Sequence, residues 1–168
     1  AWADGLERRA DTWGPPPLEK MTKLFLEMNE YDINIRIKDE SYPPLAPLVH
    51  PHELTQGGVV MNEGSVKVTA ALVNHPIVEP AFAYRFDTPD RSIVISGDTA
   101  YSENLIQLAK GADVLVHEAM HMKGVDRLVA RVPNHPGLRQ HLLASHTPVE
   151  DVGRVAQAAG VKVLVLSH

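Results

Sequence analysis

Ser92-Ile-Val-Ile-Ser-Gly-Asp98-Thr99 is the stretch on which the fold turns. Residues 92–95 form a short apolar, β-branched run, the pattern of a buried strand. The run stops at Gly97 and an acid follows at once. Open α/β sheets place ligands outside the carboxyl ends of their strands, so Asp98 stands where such a fold keeps its chemistry. Two more runs end alike. Asp113-Val-Leu-Val-His117-Glu118 runs out into a His and a Glu, and Val161-Lys-Val-Leu-Val-Leu-Ser-His168 runs out into a His. Three strands that each deliver an acid–base or metal-competent side chain predict one shared site along one edge of an α/β sheet.

Outward from this stretch, the C-terminal half alternates strand and helix. Ser102 is placed to cap a helix carrying Leu105, Ile106, Leu108 and Ala109, with Gly111 just past its end. Residues 120–145 hold Met, His, Arg and the Pro133-Asn-His-Pro136 break, and read as an excursion on the site side with one short helix. Thr147-Pro148-Val149-Glu150 has the form of a capping box with Pro at the first helical position. Val149, Val152, Val155, Ala156 and Ala159 then form the buried stripe, which Gly160 ends.

Upstream, Val59–Met61, Val66–Val73 and Ala81–Phe86 read as antiparallel strands, with a turn at Asn62-Glu-Gly64. Leu18, Met21, Leu24, Phe25 and Met28 have helical spacing after Pro15-Pro16-Pro17. Ile33, Ile35 and Ile37 alternate with Asn34 and Arg36, which predicts a half-buried strand over 31–37. Residues 41–51 are Pro-rich and irregular. The expected organisation is one incomplete domain over 1–168, with 1–58 a lead-in and 59–168 the sheet-and-helix half.

Composition narrows the function classes. At 168 residues the chain is about one domain, able to bury a core. A net charge of −5 argues against nucleic-acid binding through a basic patch. With no Cys, disulfides and thiolate zinc sites are excluded, and both cytoplasm and periplasm stay open. No apolar run reaches the roughly 18 residues of a membrane span. The sequence holds nine His. His75, His117 and His168 follow or end strands, and His146 precedes the last helix; His50, His52, His121, His135 and His141 fall in loops or on helical surface. One strand-end His is an ordinary hydrogen-bonded residue. Several together with Asp98 suggest a His/Asp metal site, since Zn²⁺ takes His nitrogen and Asp oxygen and a bridging Asp suits two ions. No HEXXH, P-loop or GxSxG pattern occurs.

Five segments also resemble the metallo-β-lactamase superfamily, in the branch of tRNA 3′-processing ribonucleases (RNase Z) and arylsulfatase-like enzymes. They are Ala70-Ala-Leu-Val-Asn-His75 with Phe82-Ala-Tyr-Arg-Phe86, Ser96-Gly-Asp98-Thr99, Asp113-Val-Leu-Val-His117-Glu118-Ala119, Ser145-His146-Thr147, and Leu164-Val-Leu-Ser-His168, in order over 66–168. The resemblance implies part of an αββα sandwich, a mixed sheet with helices on one face, and two metal ions: Zn²⁺, with Mn²⁺ or Fe as alternatives. It implies His75 as a ligand of the first ion, Asp98 as the bridging carboxylate and His168 as a ligand of the second. His146 is similar to the non-ligand His that assists the leaving group, Glu118 to the acid that orients it, and His117 has a structural place.

The family's His-x-His-x-Asp-His loop, which supplies four ligands, is absent from these 168 residues. The expectation is a fragment that begins after that loop, is inactive alone and associates into dimers or oligomers through uncovered sheet faces. Only 22 residues separate His75 from Asp98, too few for a tRNA-clamping arm. With the acidic charge, this favours a small ester such as an aryl sulfate or phosphodiester over nucleic acid. The alternatives are a tRNA 3′-processing phosphodiesterase, or a binding domain that keeps the fold without catalysis.

Overall fold

The computed structural model describes Trp2 and residues 8–168, which fall into two compact units that meet in sequence between Thr55 and Gln56. In the first unit, strands β1 (Ala10–Gly14) and β2 (Val49–Glu53) pair in parallel. Between them lie helices α1 (Leu18–Met28) and α2 (Glu30–Asp39) and a 3₁₀ turn at Ala46–Leu48. The Asp11 carboxylate accepts from Arg9 and lies 2.7 Å from His52 Nε2, and the His52 ring stacks on Trp13. Those two partners, Arg9 first, hold the Asp11 carboxyl down at about 2.

The strand expected over 31–37 is helix α2. Two of its three isoleucines, Ile33 and Ile37, are also one helical turn apart, and both are half-buried while Ile35 is exposed. Arg36 reaches Asp32 at 2.9 Å and Glu40 at 3.3 Å, ion pairs that only a helix brings together. Part of the irregular stretch 41–51 is the start of β2, whose parallel partner β1 carries no alternation that would announce it.

The second unit is one six-stranded mixed sheet with order β3-β4-β5-β6-β7-β8. Strands β3 (Gly58–Glu63), β4 (Val66–Val73) and β5 (Ala81–Asp87) pair antiparallel in turn, as expected, and β6 (Ser92–Ile95) joins them antiparallel to β5, a pairing not expected from the sequence. Strands β6, β7 (Val114–Glu118) and β8 (Val163–Ser167) are parallel. Because β5 runs against both β4 and β6, the carboxyl ends of β4, β6, β7 and β8 share one edge. That edge receives His75, Asp98, Glu118 and His168.

Helix α3 (Glu103–Ala109) crosses from β6 to β7, and α4 (Met122–Arg131), α5 (Leu138–Ser145) and α6 (Val149–Ala159) lie between β7 and β8. The single helix expected within 120–145 is therefore two. Ser102 Oγ accepts the Leu105 N–H and caps α3 as predicted. Leu105, Ile106 and Ala109 of α3 and Val155, Ala156 and Ala159 of α6 pack with Val73, Ala83, Val94 and Leu115 into the core. The helices thus cover one face. The other leaves Ile95, Val163 and Val165 exposed. Among the described residues, no helix is long and apolar enough to cross a membrane.

The Thr147 capping box does not form. Its hydroxyl donates to the Thr99 carbonyl at 2.6 Å, and Pro148 occupies the cap position of α6 with no side-chain bond. A buried carbonyl offers the hydroxyl a better partner than a helix N–H that can reach solvent.

Candidate metal centre

The edge is built by turns that latch onto one another. Gly97 has φ +62°, and a Cβ there would meet the Phe82 carbonyl oxygen at 2.8 Å. Only glycine turns the chain so sharply and so close, and Asp98 follows it into the open. The His75 turn is tied to the Asp98 turn: Asn74 N–H donates to Thr99 Oγ1 at 3.1 Å, and Ala100 N–H donates to the Asn74 carbonyl at 2.7 Å. Ser96 joins β6 to β7, its Oγ accepting the Glu118 N–H at 3.0 Å. Ala119 N–H donates to the Ser167 carbonyl and fixes the end of β8 beside the end of β7.

Glu118 lies beneath this edge, 4% exposed, and its Oε1 is a focus of donors. It accepts Thr99 N–H at 3.0 Å, Thr147 N–H at 3.3 Å and His146 Nδ1–H at 3.0 Å. His146 is itself buried, so its ring is held in one orientation with Nε2 directed away from the carboxylate. The second oxygen, Oε2, has no hydrogen-bond partner among the described residues and lies 3.6 Å from His168 Nδ1. His117 is fully buried, and its Nδ1–H donates to the Glu118 carbonyl at 2.6 Å. Burial lowers its pKa.

Two groups of side chains offer ligand atoms that all lie within 4.8 Å of one another: His75, Asp98 and His146, and then Glu118, His146 and His168. The rings of His146 and His168 stack with centroids 4.7 Å apart, and His75 meets His146 edge-on at 5.4 Å. All five residues named from sequence therefore come to one place, with His146 common to both groups. The donors suit a divalent ion, being imidazole nitrogens beside a carboxylate. His75 Nδ1 is moreover buried without a hydrogen-bond partner among the described residues, which is costly unless something else binds it.

Sequence reasoning missed His141, assigned above to loop or surface. It lies on α5, half-buried, with its ring 6.2 Å from His75 and 6.3 Å from His146. The available signal was its position one helical turn before Ser145, on the segment that leads into His146.

Comparison with known proteins fits this geometry. Residues 19–168 match the family described as the beta-lactamase superfamily domain. The chain is 30% identical over 155 residues to ribonuclease Z of Mycobacterium tuberculosis, aligning 92% of its own length with 54% of that protein. Its fold is similar to human tRNase Z, short form, with TM-score 0.65, 18% identity, and coverage of 96% of this chain and 61% of that one. It is also similar to Zn²⁺-bound PqqB from Methylobacterium extorquens, with TM-score 0.53, 14% identity, and coverage of 95% and 63%. The chain thus spans about half the length of the curated relative it matches.

These likenesses correct one expectation. Nucleic acid was disfavoured as a partner on net charge and on the short His75–Asp98 interval, yet the relatives are ribonucleases. Net charge averages over the whole surface, whereas a phosphodiester at an active site is bound by the few groups around it. An aryl sulfate substrate has no support from these relatives.

Proposed function

This chain belongs to the metallo-β-lactamase superfamily, in its ribonuclease Z branch, and on that footing we propose that it serves metal-dependent hydrolysis of RNA phosphodiesters, of the tRNA 3′-processing type. The observation that carries the reading is the buried Glu118–His146 pair at the meeting point of the two donor groups. A binding domain needs no such pair.

In this proposal His75 and Asp98 would hold one ion and His168, with Asp98, a second, zinc in both cases with manganese or iron as alternatives, although Asp98 and His168 fall in different groups of neighbouring donors. Ions bound there supply a water nucleophile at neutral pH and offset charge on the phosphoryl oxygens. The chain's own contribution is proton delivery. Glu118 Oε1 fixes Nδ1–H of His146, so Nε2 is left to carry the proton that the leaving oxygen takes up. His117, buried and bonded to the backbone, holds the end of β7 in place. Two protein ligands per ion fall short of the three usual in catalytic zinc sites. The 168 residues alone are therefore expected to bind zinc weakly and turn over slowly, and activity is to be measured on the natural gene product that carries them.

The test is His146→Ala in that gene product. Loss of a positioned acid should lower RNA cleavage by about 10²–10⁴-fold, with zinc content unchanged by atomic absorption. Loss of zinc along with activity would make His146 a ligand and contradict the role given to it here.

A further inference from the structure

Beside the metal-type cluster lies a cleft of about 280 Å³, bounded by Pro76, Ile77, Gln140, His141, Ala144 and Ser145. It shares two walls with the site. Pro76 and Ile77 directly follow His75, and Val78 N–H closes that turn on the His75 carbonyl. His141 faces His75 and His146 from the other side. The buried Ser145 hydroxyl lies 3.4 Å from both the Pro76 carbonyl and His141 Nδ1, so it ties the turn to α5 and orients the ring. With its one proton on the Pro76 carbonyl, Ser145 Oγ accepts from Nδ1–H, which leaves His141 Nε2 as the ring atom open to a ligand.

Ile77 is the unusual residue. Its φ is +80°, a conformation in which a β-branched side chain is strained, and the residue is 89% exposed. A fold gains nothing from holding isoleucine there. Strain of this kind is characteristic of ligand-contacting positions. The cleft, then, has an apolar wall at Pro76 and Ile77, an amide at Gln140 that can both donate and accept, and a histidine on the side of the cluster. Its volume suits one planar ring system.

Resting on the functional reading above, we propose that this cleft is the subsite for the nucleobase next to the scissile phosphodiester. Ile77 contacts the base face and Gln140 its polar edge, with His141 on the side that faces the cluster. Ile77→Gly and Gln140→Ala are suitable variants, because the first relieves the strained φ and the second alters an exposed helix position. In the zinc-loaded gene product each should lower kcat/KM for a short RNA by about tenfold, while bis(p-nitrophenyl) phosphate, which has no base, is cleaved within about twofold of the unaltered protein. In NMR titrations, cytidine 5′-monophosphate should shift the Ile77 methyl and Gln140 amide signals, and inorganic phosphate should not. Equal effects on the two substrates, no effect on RNA, or unmoved Ile77 and Gln140 signals would overturn the subsite and leave the phosphodiesterase reading standing. A gene product that cleaves neither substrate would overturn that reading instead, and the nucleotide shifts alone would then decide the subsite.

Discussion

Thr147 and Thr99 show how single side chains hold this site together. Both are fully buried, and the Thr147 hydroxyl donates to the Thr99 carbonyl while the Thr99 and Thr147 N–H groups both donate to Glu118. Each bond satisfies a group that burial would otherwise leave unpaired. Replacing Thr147 with Val keeps the shape and removes the donor. Urea unfolding should show a loss of about 1–3 kcal/mol, the cost of an orphaned buried carbonyl. An unchanged midpoint would mean that water reaches Thr99 and that the site is wetter than described. The threonine pair could not be read from sequence. Thr147 fits a helix cap on local grounds, and only the tertiary approach of the Asp98 turn gives its hydroxyl a different acceptor. Asp98, Glu118 and His168 are legible for the opposite reason: each comes two or three residues after an apolar run ends, and a strand end is a place that sequence can mark.

At the scale of the elements, the parallel half of the sheet is clamped at the end opposite the site. Asp113, just before β7, accepts from Lys162 Nζ at 2.6 Å and from the Ser92 N–H at 2.7 Å and hydroxyl at 3.1 Å. One carboxylate thus joins the starts of β6, β7 and β8. The Lys162 ammonium first, and then the Ser92 donors, hold its carboxyl well below the usual range, at about 2. A carboxyl depressed on folding adds stability above its unfolded value near 4 and loses it as pH falls toward 2. Asp113→Asn should therefore lower stability at pH 7 and flatten the fall between about pH 4 and 2, read from urea midpoints across pH. Parallel curves for the two proteins would show that the clamp contributes nothing. Element boundaries in this half follow the sequence closely, because strand runs and glycine stops coincide. In the first unit they do not. Ile33, Ile35 and Ile37 satisfy a strand pattern, while the Asp32–Arg36–Glu40 ion pairs and the burial of Ile33 and Ile37 make the segment helical.

For the whole molecule, topology turns scattered residues into one centre. Residues 75, 98, 118, 146 and 168 meet because four strand ends share an edge and because α5 delivers His146 to it. His141 arrives on the same helix, and its place depends on how α5 lies against the His75 turn, which no local pattern encodes. If these residues form a metal site, zinc titration of the protein followed by ¹⁵N signals of the histidine side chains will show it. Signals from His75 and His168 should move first and together, and Asp98→Asn should weaken both responses. Shifts confined to His50, His52, His121 or His135, or responses at His75 and His168 that ignore Asp98→Asn, would contradict it.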